Sequence, residues 1–339
     1  MKRIVTLAAF AIAATLAATA TGSTKGTTLK GAGSTFVSPL VSAWVQPYDS
    51  ATGTRVQYNP IGSGGGIQAI TNRTVDFGTS DAPLTRDQFA ACNGCVQIPW
   101  ALSSTSVAYN LPGLPPHLKM TGPVLANVFL DKIKKWDDPA IKKLNPGVNL
   151  PDLNITPIFR SDGSGTTYNF TDYLAKVSPE WKSKVGVGTQ VNFPTGVGGR
   201  GSSGVSAVLS RTQGGITYVD VAFALKSHFS FFRMKNKAGA FQLPGTRAIR
   251  AAAATVKRVP VDNKISIVDP PKSQRLAYPI CTFTYVIVPM KTNNAAALRK
   301  FVFWGMTSGT KKFGPRLLFV PIPAVVLSAS EKTLKKVHG

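Results

Sequence analysis

An arginine, an aspartate and a Ser-Gly-Thr triplet stand together in Arg160–Phe170, RSDGSGTTYNF. The guanidinium of Arg160 offers a rigid fork of N–H donors that matches oxyanion oxygens. Charge-assisted bonds of this kind are about twice as strong as neutral ones. Ser164, Gly165 and Thr166 add hydroxyl and backbone donors at the mouth of an expected helix. There, free N–H groups and the positive end of the helix dipole favour an anion. Asp162 runs against that chemistry, because an ionised carboxylate only accepts hydrogen bonds.

Other residues invite different chemistry. Ser164 lies in a Gly-Ser-Gly context, which raises a secreted serine hydrolase. However, DGSGT is not the Gly-x-Ser-x-Gly elbow, and His117 and His228 approach it only if the fold brings them. Gly196–Gly201 fits G-x-G-x-x-G, with Asp220 following at a dinucleotide-like distance. Pro194 interrupts the strand that such a site needs before its glycines. Cys92-Asn93-Gly94-Cys95 reads as a small disulfide loop on an Asn-Gly turn, with a redox pair as the sharper alternative. Cys281, in the apolar YPICTFTYVIV, reads as a buried thiol. Two neighbouring cysteines and three scattered histidines make no zinc site, so neither metal nor cofactor is expected.

These residues need loops that open helices, and the chain supplies four. GAGSTF precedes the helical spacing of Leu40, Val41, Trp44, Val45 and Tyr48; GSGGGIQAITNRTV is a glycine loop opening a short helix. After RSDGSGT, the residues Phe170, Tyr173, Leu174 and Val177 mark one helix face, and GVGGRGSSGVSAVLSR repeats the device. Strand-like runs in RVQYNPIG, VDFGTSDAPL and GGITYVDVAFAL alternate with these helices, which is the pattern of an α/β protein.

The first residues, MKRIVTLAAFAIAATLAATA, have two basic residues, a short apolar run and a small-residue close. This is a signal-peptide pattern over 1–20, so export is expected. The chain of 339 residues carries 39 Lys+Arg against 15 Asp+Glu, a net charge of +24, and such a surface attracts anions. Its basic residues are dispersed and no nucleic-acid module is visible. Few carboxylates also means little change of charge in an acidic exterior.

Six motifs in one order carry a resemblance: GAGSTF, IGSGGGIQAI, VDFGTSDAPL, KIKKWDDPAIKKLNPG, RSDGSGTTYNFTDYLAKV and GVGGRGSSG. Together they resemble the periplasmic phosphate-binding proteins of the high-affinity phosphate ABC importer. The resemblance implies an α/β, two-lobed periplasmic binding protein fold of type II, hinged, with its ligand in the cleft between lobes. Lobe I would be 25–102 plus 279–339 and lobe II 103–278, with crossovers near 101–106 and 279–284. The implied phosphate contacts are Thr35, Phe36, Ser63, Asp81, Arg160, Asp162, Ser164, Gly165 and Thr166. A monomeric, non-enzymatic periplasmic receptor would hand phosphate to the membrane permease subunits of an ATP-driven importer. Arsenate or sulfate is the alternative ligand on the same fold.

Two loops depart from the family pattern, with Gly64 in place of a common second serine and Ser202-Ser203 in place of Asn-Asp. Neither touches the nine implied contacts. The opening conflict then resolves: phosphate at neutral pH keeps a proton that an acid can accept, whereas ionised sulfate presents only lone pairs. Asp81 is expected to read that proton. For Asp162 the same role stands beside a helix cap or an ion pair with Arg160.

Overall fold

The structure is a computed structural model that describes residues 26–339; the expected signal peptide lies outside the described residues. Among the described residues, runs of β-branched, aromatic and small residues form twelve strands. These are β1 Thr28–Gly33, β2 Arg55–Asn59, β3 Phe77–Ser80, β4 Cys95–Tyr109, β5 Lys119–Met120 and β6 Thr156–Arg160. They continue with β7 Val197–Gly199, β8 Gly215–Asp220, β9 Ser230–Phe231, β10 Arg233–Lys235, β11 Phe241–Gln242 and β12 Cys281–Pro289. The main sheet runs in the order β2-β1-β3-β12-β4-β8-β6-β7, with β9 against β4; a smaller sheet orders β11-β10-β5. Helices pack on the main sheet, as expected for an α/β chain.

Strand direction is what positions the functional loops. β1, β2 and β3 are mutually parallel, and so are β6, β7 and β8. β4 links the two sets: it pairs antiparallel with β12 over Cys95–Ser104 and then antiparallel with β8 from Thr105. β12 is also antiparallel to β3, so β3 points the same way as β4 while β8 points back. The carboxyl ends of the two parallel sets therefore face each other where β4 changes partner. In open α/β sheets, ligands gather at such strand ends.

Each half has its own aromatic packing. The helix Ser38–Thr52 buries Leu40, Val41, Trp44 and Tyr48, the spacing seen in the sequence. Trp44 meets Trp100 edge-on at 5.2 Å, with Phe301 and Trp304 at 6.3 and 6.2 Å. In the other half the helix Gly165–Val177 buries Phe170, Tyr173 and Leu174, and Phe170 stacks on Tyr218 at 4.2 Å. Apolar side chains of this size contribute most of the burial free energy.

The path of residues 262–268 was not visible in the sequence. Residues 262–265 lie in the span expected for lobe II, yet they hydrogen-bond to the β1–β3 half. Gln97 Nε2 donates to the Asp262 carbonyl, Asn263 Nδ2 donates to the Gln97 carbonyl, and Ile265 N–H donates to the Tyr285 hydroxyl. Ser266 and Val268 then accept from Lys176 of the other half. Cys92 and Cys95 are disulfide-bonded, which selects the loop reading. Arg73 clamps that loop, donating to the carbonyls of Cys92 and Asn93 at 2.8 Å each. Cys281 is buried and free.

Truncating Trp44 removes the centre of one aromatic cluster. Trp44→Ala is expected to cost about 3–5 kcal/mol, read as a lower urea midpoint at an unchanged slope.

Candidate functional site

All four glycine, serine and threonine loops end at the facing strand ends. β1 leads into Ser34–Val37 and the helix Ser38–Thr52; β2 leads into the helix Ser63–Thr71; β3 leads into Asp81. From the other side β6 ends at Arg160 and leads into the helix Gly165–Val177, β7 leads into the helix Gly201–Arg211, and β8 ends at Asp220. Gly64, Gly65 and Gly66 of IGSGGG lie within the first turn of their helix, which begins at Ser63, while Gly62 stands ahead of it as the N-cap.

The halves touch through these loops. Gly64 N–H donates to the Gly163 carbonyl at 2.8 Å, and Gly165 N–H donates to Ser63 Oγ at 3.0 Å. Asn169 Nδ2 donates to the Asp81 carbonyl at 2.9 Å. A side chain at Gly165 would not fit this approach, since its Cβ would fall 2.6 Å from the Asp81 nitrogen.

Asp81 is 1% exposed and sits among donors. Ser34 Oγ donates to its carboxylate, 2.6 and 2.7 Å from the two oxygens, and Ser63 Oγ lies 3.4 Å from Oδ2. Burial pushes its pKa up from 3.8 to about 7, opposed by the Ser34 hydroxyl and the Arg160 charge. The Ser34 oxygen also accepts from the Phe36 N–H at 3.0 Å, so in this structure that N–H serves the loop itself.

Arg160 is almost fully buried and forms a two-pronged ion pair with Asp162. Nε donates to Oδ1 at 2.7 Å and Nη2 to Oδ2 at 2.6 Å. Of the alternatives open for Asp162, the structure shows the ion pair. Gly201 N–H adds a bond to Oδ1 at 2.9 Å. Burial works against the Asp162 charge, but Arg160 and Gly201 outweigh it and hold the pKa below its usual value. The pair fixes the plane of the guanidinium and leaves Nη1 outside it.

The remaining expected contacts divide among capping, bridging and unpartnered roles. Ser164 Oγ accepts from the Thr167 N–H at 3.1 Å as the N-cap of its helix. Thr35 Oγ1 lies 2.9 Å from Ser202 Oγ and accepts from the Ser202 N–H at 3.2 Å, a bridge between the halves. Thr166 Oγ1 is buried with no partner among the described residues. A buried hydroxyl normally has one, so this atom is free for a ligand.

Sequence reasoning passed over Ser34 and Asn169, read Ser202 only as a departure from the family pattern, and read Asp220 only as part of a dinucleotide pattern. Ser34 stood beside two implied contacts and Ser202 in a quoted motif without one, and the partners of both are distant in sequence. Asp220 is 0% exposed, and its Oδ1 accepts the Phe223 N–H at 3.0 Å as a helix cap. Its place is thus beside the cleft rather than at a ribose. His117 sits against the Phe231 carbonyl at 3.0 Å, not at Ser164. A groove of about 560 Å³ lined by Lys257, Arg258, Lys332 and Lys336 lies away from all these residues. The space beside Asp81 is only about 30 Å³, as expected where two halves meet.

The chain is similar to known phosphate-binding proteins. The pattern of the PBP superfamily domain matches residues 18–308. The phosphate-binding protein PstS of Xylella fastidiosa (strain Temecula1) is 41% identical over 304 residues, 88% of this chain and 83% of that protein. The PstS of Pasteurella multocida is 39% identical over 308 residues, 90% of this chain and 89% of that one. Among solved structures, the high affinity periplasmic phosphate-binding protein PfluDING superposes with a TM-score of 0.73 at 23% identity, covering 90% of this chain and 93% of that one. A phosphate-binding protein from Stenotrophomonas maltophilia gives 0.71 at 16% identity, with the same coverage. At these identities the superpositions speak for the fold, which is the expected periplasmic binding protein fold.

The buried acids make stability depend on pH. Burial raises Asp81 to about 7 and Asp220 to about 8, so the folded chain keeps protons that an unfolded chain releases near pH 4. Their contribution is present in full at acid pH and is lost as pH climbs from about 4 through 7 to 8. Asp162, shifted the other way, contributes above its usual pKa and loses that contribution only at stronger acidity. The urea midpoint of the ligand-free protein should fall between pH 5 and 8.5, and Asp81→Asn should flatten part of the slope. A midpoint that rises over this range would contradict the assignment.

Proposed function

The chain belongs to the PstS family of phosphate-binding proteins, and on that premise we propose that it captures inorganic phosphate and delivers it to an ATP-driven importer. The observation that carries the reading is the pairing of chemistries at the facing strand ends. A buried acceptor, Asp81, stands within the electrostatic reach of a buried fork, Arg160. Once Asp81 is ionised, as above neutral pH, a bare anion would satisfy only the fork. Hydrogen phosphate supplies oxygens to Arg160 and a proton to Asp81.

The proposed contacts are Thr35, Phe36, Ser63, Asp81, Arg160, Asp162, Ser164, Gly165 and Thr166. Within that set Asp162 aligns the guanidinium, and its short bonds to Nε and Nη2 support that role over proton reading. Ser34 holds Asp81 in place from behind. Thr166 Oγ1, buried and unpartnered, donates to the ligand. Phe36 N–H reaches the ligand by leaving Ser34 Oγ.

The proposed lobes are 25–102 with 279–339, and 103–278, with 262–265 riding on the first. Each supplies part of the donor set, so ligand favours the conformer that completes it, and closing traps the anion. The relatives are named as binding proteins, and Ser164 is engaged as a helix cap; the chain is a receptor, not an enzyme. Export through residues 1–20 would place it in the periplasm as a monomer. There its closed form would dock on the permease subunits, whose ATP hydrolysis drives uptake.

Sulfate would press lone pairs against the Asp81 carboxylate, and sites that read a ligand proton reject analogues without one by about 10⁴–10⁵-fold. Calorimetry on the exported form should show tight phosphate binding and sulfate weaker by about that factor. Asp81→Asn removes the obligatory acceptor and should narrow the phosphate-to-sulfate ratio by at least about tenfold; an unchanged ratio would count against proton reading. Arg160→Ala should weaken phosphate by more than about a hundredfold, measured the same way.

A further inference from the structure

Asp220 has no part in the proposed contacts, yet it is a fully buried acid at the same strand ends. Its Oδ1 accepts from Phe223 N–H, while its Oδ2 is buried without a hydrogen-bond partner among the described residues. Leaving such an atom unpaired is costly. Ser202 is the hydroxyl near enough to favour its charge, although it stops short of full hydrogen-bond geometry in this structure. Ser202 Oγ in turn lies 2.9 Å from Thr35 Oγ1, and its backbone N–H donates to that same oxygen. The three side chains form a line from a buried carboxyl to a proposed ligand contact on the opposite half.

We propose that Asp220 is a positioning residue that sets, through Ser202, whether the Thr35 hydroxyl donates to the bound anion. The inference rests on Thr35 being a ligand contact in the reading above. A hydroxyl has one proton to give and two lone pairs, so the line has two settings. When Asp220 is protonated it donates to Ser202 Oγ. Ser202 then donates to Thr35 Oγ1, which already accepts the Ser202 N–H, and the Thr35 proton is turned to the ligand. When Asp220 is ionised it accepts from Ser202, whose oxygen now accepts from Thr35. The Thr35 proton is thereby drawn away and a lone pair faces the anion. The Asp220 proton passes to solvent as the acid ionises, and the hydroxyl protons of Ser202 and Thr35 reorient; no other covalent bond changes.

The surroundings favour the first setting in ordinary conditions. Burial raises the Asp220 pKa to about 8, and among charged neighbours Asp81 from the end of β3 raises it while Arg160 from β6 lowers it. β4 presents Thr105, its register partner, and the helix Gly201–Arg211 presents Ser202; neither titrates. Arg211 and Lys226, in the last turns of their helices, are exposed, as is Arg316 on the turn packed against the helix Val221–Lys226.

Asp220→Asn mimics the protonated acid, since its amide donates at every pH and its oxygen still caps the helix. Ser202→Ala cuts the line and leaves the cap untouched. Phosphate dissociation constants would be measured by calorimetry at pH 6, 7.5 and 9 for wild type and both variants. The titration of phosphate is common to all three, and Ser202→Ala keeps the Asp220 carboxyl beside Asp81, so it is the variant in which the Asp81 titration cancels most closely. Wild type should lose about tenfold more affinity from pH 6 to 9 than either variant, the worth of one charge-assisted hydrogen bond. Ser202→Ala should already be weaker at pH 6, whereas Asp220→Asn should keep its acid-side affinity to pH 9. Superimposable pH profiles for the three proteins would overturn the inference alone. Wild type that binds phosphate at none of these pH values would overturn the reading of the site, and this inference with it.

Discussion

β4 changes partner between Ser104 and Thr105, from β12 to β8, and both pairings are antiparallel. That single constraint decides where everything else falls. With β3 aligned to β4 and β8 opposed to it, the carboxyl ends of two parallel strand sets must face one another. Strand ends in α/β sheets lead into helix starts, which hold free N–H groups and positive dipole ends. Opposed sheet halves therefore bring donors to one place from two sides without any residue being specialised for it.

Onto that electropositive frame the chain places three acids, and their neighbours give each a different state. Asp162 meets Arg160 through two short bonds and keeps its charge. Asp81 is buried among hydroxyls with the guanidinium farther off, and burial dominates. Asp220 has one bonded oxygen, one unpartnered oxygen and Asp81 as an unfavourable neighbour, and it is raised further still. A protonated acid can donate and an ionised one can only accept. On the proposed reading, the same side chain serves as an aligner at Asp162, a reader at Asp81 and a switch at Asp220.

Hydroxyls do most of the linking. Ser34 supports Asp81 while accepting from Phe36, Ser63 receives Gly165 across the halves, and Ser202 meets Thr35. A hydroxyl can both give and accept, so it joins carboxylates to N–H groups and reverses direction at little cost. The close approach of Gly64 to Gly163, and of Gly165 to Asp81, depends on missing side chains. Glycine at these loops serves contact between halves as much as contact with an anion.

Local pattern was readable because it repeats over a few residues. The spacing of Leu40, Val41, Trp44 and Tyr48 marked a helix face, and six ordered motifs marked the family and its expected contacts. The Arg160–Asp162 pair lies two residues apart, so even that remained open as one alternative among others. Ser34 with Asp81, Thr35 with Ser202 and the fold-back of 262–265 onto Gln97 join positions separated by 47, 167 and 165 residues. No periodicity spans such distances. Which acid is ionised and which is neutral was likewise a tertiary decision, because a pKa follows from the water removed and the charges brought near. The sequence by itself determined the helix starts, the donors and the acids; only the reversal at β4 decided that they converge.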